Sequence, residues 1–474
     1  MASPIQDAML VLALVGLSGC RDSPDPAPVD RLRLPSGLAQ SPDGRWLFVT
    51  NGNWDRADDG SSLVALDFAA LAVGIAAPRA AGAALDSSHP CRMHRDGSRV
   101  ECDPSLVIDA GLGVRLPSGA GNIAIDRPDG ELGPLRLLIP TRIEPSLVWV
   151  DVFGEGFGGD GGGDAGGDAG GDAGGQLRFD CGQAEDRRCD RDHRLTNLRG
   201  DPSRVTIDDH GFRFAYLPHL LGRTLTMIDL DGERGPEIAD VETEFFHPDG
   251  LFDSGLGGGF SVVQRACEVE TDNVPAGSNG CTRPFLIATQ RFWWGVRTFR
   301  VASGLNVVIA GSDVPVLGPN LESADLKPLM GGMAFEDPEQ GDRLLIVHTT
   351  PPALSRVDTS LDDDRSPRFD VVDTVGVCPN PNLVAVHRPS LAQEPGPDLA
   401  FVSCYGSDQL AIIDLGVFTV VRTLKLGDGP NELLIDAERR WLFVANTAEN
   451  SISIVDLDVT RPSYLDELAT LGLG

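Results

Sequence analysis

Pro430-Asn-Glu-Leu-Leu-Ile-Asp-Ala-Glu-Arg-Arg-Trp-Leu-Phe-Val-Ala-Asn446, followed by Asn450-Ser-Ile-Ser-Ile-Val-Asp-Leu-Asp458, is the stretch that decides the fold. It holds three short apolar runs, at 433–435, 441–445 and 452–457, parted by polar turns carrying Asp, Glu, Arg and Asn. Runs this short, rich in Val, Ile, Leu and Phe, predict buried β-strands rather than helices. Nearly the same text stands near the other end of the chain. Pro42-Asp-Gly-Arg-Trp-Leu-Phe-Val-Thr-Asn51 leads there into Ser62-Leu-Val-Ala-Leu-Asp67. A unit repeated at both ends of a long chain directs the search to copies between them.

The copies are marked by a strand ending in Asp: Leu63–Asp67, Leu147–Asp151, Leu225–Asp229, Leu354–Asp358, Leu410–Asp414 and Ile452–Asp456. A seventh, weaker copy, Arg297–Val301, lacks the Asp. An apolar strand precedes each marker. Ahead of several of those stands Pro, then Ser or Asn, then an alternating strand, as at Pro202–Asp208, Pro381–His387 and Pro430–Asp436. A fourth strand follows most markers, as in Phe418–Leu426. Asp414 and Asp456 are one blade's length of chain apart, about 40–45 residues. The expected fold is all-β: a single seven-bladed β-propeller of four-stranded antiparallel blades over residues 31–474, with almost no helix. Longer spacings mark loop insertions at about 80–113, 154–198, 265–283 and 388–397, expected to have no core of their own. Residues 31–34 and 465–473 compete for the outer strand of the last blade; the C-terminal segment has the better spacing.

The two Trp-Leu-Phe-Val-(Thr/Ala)-Asn strands, Trp46–Asn51 and Trp441–Asn446, each followed by a strand ending in Asp, resemble the YVTN family of β-propeller repeats. The resemblance covers most of residues 31–474, best in blades 1 and 7. It implies a propeller of secreted, surface or periplasmic type and names no ligand. At the N-terminus, an apolar core from Ala8 to Gly16 runs into Leu17-Ser18-Gly19-Cys20, which resembles the lipobox of bacterial lipoproteins. That resemblance implies a signal peptide over residues 1–19 and acylation of Cys20. Met1 to Ala8 departs from the pattern, having no Lys or Arg and carrying Asp7. Residues 20–30, with Pro24, Pro26 and Pro28, read as a Pro-rich tether. The expected location is the bacterial cell envelope, lipid-anchored, on the periplasmic or outer-membrane surface.

Removing Cys20 from the nine cysteines leaves eight in neighbouring pairs: Cys91 with Cys102, Cys181 with Cys189, Cys267 with Cys281, Cys378 with Cys404. No Cys-x-x-Cys spacing occurs, so local disulfides in an oxidising compartment are expected rather than a zinc or redox motif. The net charge of −31 works against nucleic-acid binding, since phosphate contacts need clustered Lys and Arg.

Candidate chemistry is sparse. Gly154–Gly159 spells Gly-x-Gly-x-x-Gly but opens no helix that could hold a phosphate. The Gly-Asp tract through Asp160, Asp164, Asp168 and Asp172 lacks the period and aliphatic residues of calcium repeats, and reads as a solvated loop. Asp229–Glu233 has Arg234 where a calcium loop needs Gly. His89 and His94 bracket Cys91 as a weak metal candidate. Arg291–Arg300 is the one dense aromatic and basic stretch, read as blade 4 core with outward arginines, or alternatively as an exposed recognition patch.

Propellers place ligands at the loops around the central channel. The loops entering the inner strands supply Ser36, Asn122, Arg204, Asn382, Asn431 and Glu432 as candidate channel-mouth binding residues. One Glu and one Arg make a poor acid–base set. No catalytic residue, metal ligand or cofactor is therefore assigned. The expected function is a monomeric binding module for a protein or cell-surface polymer, held at the membrane by its lipid anchor. A propeller enzyme of lactonase or hydrolase type using the channel mouth is the alternative, and a structural envelope protein the second.

Overall fold

The computed structural model describes residues 24–81, 89–130, 133–154, 177–208, 212–246, 257–265, 285–302, 307–316, 329–362 and 366–472. Seven antiparallel sheets follow one another along the chain. Their inner strands are Pro35–Gln40, Ala124–Asp126, Thr206–Ile207, Gly259–Arg265, Leu329–Phe335, Pro381–His387 and Pro430–Asp436. In each sheet the four strands counted from the channel run outward in chain order, as a propeller blade requires. The fold is the expected seven-bladed propeller.

The blades are buried on both faces, which is why their strands are continuous apolar runs. Along Trp46–Asn51, Leu47 and Val49 pack toward blade 7 while Phe48 packs toward blade 2. Among the described residues, seven apolar clusters lie one at each junction between neighbouring blades. The core is thus a ring of inter-blade interfaces.

The polar repeat letters have local jobs. The marker Asp ends its strand in an Asx turn, its carboxylate accepting from the backbone N–H two residues on. The acceptor–donor pairs are Asp67 with Ala69 (2.7 Å), Asp229 with Asp231 (2.9 Å), Asp358 with Ser360 (2.9 Å), Asp414 with Gly416 (2.7 Å) and Asp456 with Asp458 (3.1 Å). Asp151 instead takes a cross-strand fork from Arg136 (2.7 and 3.2 Å). The Asn closing the second strand bonds the Ser opposite it: Asn51 to Ser62 and Asn446 to Ser451, both at 2.9 Å. Nearby Thr residues staple one blade to the next. Thr50 Oγ1 donates to Gly121 O (2.6 Å), Thr349 Oγ1 to Pro381 O (2.8 Å) and Thr447 Oγ1 to Pro35 O (2.7 Å), the last closing the ring.

Glu467–Leu471 is the fourth strand of blade 7, as its spacing predicts. Two further strands follow it. Val100–Cys102 pairs parallel with Glu467–Leu471, and Cys91–Met93 pairs with Val100–Cys102. The 80–113 insertion of blade 1 therefore extends blade 7 to six strands. A helix, Phe68–Ala81, leads into this insertion where the sequence reading places none. Asp67 caps it, accepting from Ala69 N and Ala70 N, and so one carboxylate ends a strand and starts a helix. Phe68, Leu71 and Ile75 of the helix join Val100, Cys91 and Cys102 in the cluster between blades 7 and 1. The insertion's apolar residues belong to a blade junction, contrary to the expectation of a loop without core.

The 154–198 insertion behaves likewise where it is described. Phe179 packs against Phe48 (5.8 Å between rings), and Cys181 joins the cluster between blades 1 and 2. Arg115 N donates to Arg187 O (2.7 Å) and Cys189 N to Arg115 O (3.0 Å), laying this loop along the outer strand of blade 1. Each of these two insertions reaches back to the preceding blade. Residues 24–30, the end of the Pro-rich segment, also lie on blade 1: Ala27 is buried and its carbonyl accepts from Arg115 Nε at 2.9 Å.

Three disulfides join the expected neighbours, Cys91–Cys102, Cys181–Cys189 and Cys378–Cys404. Cys267, Cys281 and Cys20 lie outside the described residues, as does the tract from Asp160 to Asp172. No described helix is long and apolar enough to cross a membrane.

Candidate functional site at the channel mouth

The six candidate residues all stand at or just before the start of an inner strand, so the topology gathers them on one face of the ring. Four pairings account for most of their polar atoms. Asn122 exchanges two bonds with the backbone of Val205, Nδ2 to Val205 O and Val205 N to Oδ1, both at 3.0 Å, joining blades 2 and 3. Ser36 Oγ donates to Ala120 O at 2.6 Å, joining blades 1 and 2. Asn382 Nδ2 donates to Asn431 Oδ1 at 2.7 Å, joining blades 6 and 7. Ser36, Asn122 and Glu432 are buried.

The most distant pairing is between charges. Arg204 on blade 3 meets Glu432 on blade 7 in a two-pronged fork, Nη1 to Oε2 at 2.6 Å and Nη2 to Oε1 at 2.8 Å. Both side chains are largely buried, 21% and 9% exposed. Burial alone would push the Arg204 guanidinium down, but the Glu432 carboxylate outweighs it and holds it above its ordinary value. A bidentate Arg–carboxylate pair is the strong form of a charged hydrogen bond. Here it ties two blades of the ring together.

The buried histidines are also engaged. His219 Nδ1 lies 3.0 Å from Arg199 O and its Nε2 lies 2.9 Å from Thr226 Oγ1. His348 Nε2 lies 2.9 Å from Ser355 Oγ. Burial pushes both rings down to about 4, so they are neutral near pH 7. No group of three or more His, Cys, Asp and Glu within metal-binding reach occurs among the described residues. The weak metal candidate beside His89 and His94 loses its thiol, because Cys91 is bonded to Cys102.

The aromatic and basic stretch divides between its two readings. Gly295–Ala302 is a blade 4 strand, with Val296 and Phe299 buried. Arg297 pairs with Asp313 (2.6 Å) and lies over the Phe245 ring, and Arg300 lies over Phe285. Trp294, in the turn before the strand, is 42% exposed and stacks on Trp293 with ring centroids 6.0 Å apart. In the same turn, Arg291 Nη1 donates to Met330 O (2.6 Å) and to Thr349 Oγ1 (3.2 Å) of blade 5. A periodicity reading assigns this arginine to the strand; its role at the rim depends on contacts with a blade some forty residues on.

No protein-family model and no curated protein matches this chain. Solved propellers do match it. A candidate 6-phosphogluconolactonase from Bacteroides uniformis is 12% identical with a TM-score of 0.52, covering 89% of this chain and 95% of its own. A Lactobacillus plantarum protein is 11% identical at a TM-score of 0.51, covering 91% and 99%. The β-propeller domain of Cps50 (Swd1) from Myceliophteria thermophila is 10% identical at a TM-score of 0.50, covering 90% and 97%. Identity this low carries the fold alone, and one fold hosts many unrelated functions; by fold, the chain is a seven-bladed β-propeller.

Proposed function

We propose that this protein is a YVTN-type propeller lipoprotein of the bacterial cell envelope, anchored through Cys20, that binds a protein or cell-surface polymer by the loops around its channel mouth. The observation that carries the reading is the Arg204–Glu432 fork. Glu432 is the sole carboxylate among the six mouth candidates, and its two oxygens are occupied by a guanidinium. A general base must reach its substrate's proton with a free lone pair. The mouth candidates brace the ring, and a braced ring with projecting loops is a scaffold for recognition. Three disulfides favour an oxidising compartment. The rival reading, a propeller enzyme of lactonase or hydrolase type, draws on the fold shared with the Bacteroides uniformis protein.

One paired experiment separates them. The purified protein is sedimented with insoluble cell-wall polymer and, in parallel, assayed for hydrolysis of sugar lactones alongside Glu432→Gln. Saturable co-sedimentation without lactone turnover supports the binding module. Turnover that disappears in Glu432→Gln overturns it in favour of the enzyme.

A further inference from the structure

Several well-buried arginines of this propeller have carboxylate partners, and Arg291 on the mouth face does not. Arg204 holds Glu432, Arg265 holds Asp342 at 3.0 Å, and Arg356 holds Glu336 at 2.5 Å. Arg291 holds no carboxylate among the described residues. Its Nη1 is fixed by Met330 O and Thr349 Oγ1, and its plane lies over the Phe260 ring, 5.0 Å from the centroid. Its Nε and Nη2 have no hydrogen-bond partner among the described residues, and neither atom is fully sealed from solvent. The charge that acts on it is a second cation, Arg142, whose own Nη2 bonds Asp201 at 3.0 Å and whose guanidinium lies over Trp54. Burial first, and Arg142 second, push the Arg291 guanidinium down to about 10, leaving it protonated at neutral pH.

A guanidinium immobilised by one nitrogen, resting on an aromatic face, presents its remaining edge as a fixed two-donor fork. That edge matches the two oxygens of a carboxylate or a phosphoryl group. We propose that Arg291 anchors an oxyanion-binding site at the rim between blades 4 and 5, taking the carboxylate or phosphoryl group of a small ligand on its Nε–Nη2 edge. The net charge of −31 repels a long polyanion, so the ligand carries one or two charges rather than a string of them. The site stands apart from the polymer-binding reading, since a free anion fills it whether or not a macromolecular partner exists. Trp293 and Trp294, in the turn that Arg291 opens, supply a spectroscopic reporter.

The test titrates the full protein with inorganic phosphate, glucuronate, glucose as neutral sugar, and sodium chloride matched for ionic strength. Melting temperature and tryptophan fluorescence are read in the parent, Arg291→Lys and Arg291→Gln. A saturable shift with phosphate, glucuronate or both, absent with glucose and chloride, is expected, and whichever anion acts names the group recognised. Arg291→Lys, which keeps the charge and loses the fork, should weaken binding at least tenfold, and Arg291→Gln should abolish it. Should Arg291→Gln fail to fold, the lysine variant still decides. No saturable shift in the parent, or an unchanged affinity in Arg291→Lys, overturns the site.

Discussion

Replacing Phe68 by Ala tests whether the helix after blade 1 closes the ring. Phe68 is fully buried, its ring 5.3 Å from that of Phe443 on blade 7, and the Arg439 guanidinium lies over it at 4.8 Å. It belongs to the cluster joining blades 7 and 1, the junction that no covalent chain connection makes. Truncating a fully buried Phe loses its transfer energy and leaves a cavity, together about 3–5 kcal/mol. The upper half of that range applies, because strand residues of two blades wall the site and cannot collapse into it without parting their ladders. Val73 on the same helix is 67% exposed, so Val73→Ala should change stability by less than about 0.5 kcal/mol. Urea unfolding followed by tryptophan fluorescence suits the assay, since Trp441 packs in this junction. A loss below about 1 kcal/mol for Phe68→Ala would refute the docking of the helix between the end blades.

Replacing Cys91 and Cys102 together by Ser should destabilise by at most about 2–3 kcal/mol, the loop-entropy scale for a short bridge, and should raise hydrogen exchange in 91–102 before other blades respond. Stability should fall as the pH drops from about 6.5 toward 4, because His219 and His348 stay neutral in the fold while the unfolded chain takes up their protons. Above pH 6.5 these two groups add no slope, and His348→Gln should reduce the slope in a pH series of urea midpoints. Cys20→Ser should abolish labelling of the protein by radioactive palmitate in cells; equal labelling of mutant and parent would place the acyl chain elsewhere.

The repeat was legible because its letters answer to local chemistry. An Asp at a strand end makes an Asx turn with its own backbone, and Asn or Thr at the next strand end bonds a neighbour in the same or adjoining blade. Disulfides between near neighbours were legible for the same reason. The helix Phe68–Ala81 was not, since Gly74 and Pro78 interrupt its pattern and its apolar face has meaning only against blade 7. The hairpin 91–102 joining the far end of the chain was equally hidden, because the strand it pairs with lies at Glu467–Leu471. At the mouth, the repeat register places six polar residues at inner-strand starts but says nothing of how they spend their hydrogen bonds. Nothing in one sequence links Arg204 to a carboxylate 228 positions away. Arg291 escaped for the converse reason: what sets it apart is a missing partner, and absence leaves no mark in a sequence pattern.

If the mouth residues brace the ring, Arg204 and Glu432 must be strongly coupled, and a double-mutant cycle measures that coupling. Arg204→Met leaves a buried carboxylate unpaired and Glu432→Gln leaves a buried guanidinium unpaired, each costing about 3–5 kcal/mol in unfolding free energy. The double replacement removes both charges and should return to within about 1 kcal/mol of the parent, a coupling of at least about 5 kcal/mol. Single losses below about 0.5 kcal/mol that simply add in the double mutant would contradict the account, and would return Glu432 to the roster of groups free to meet a substrate.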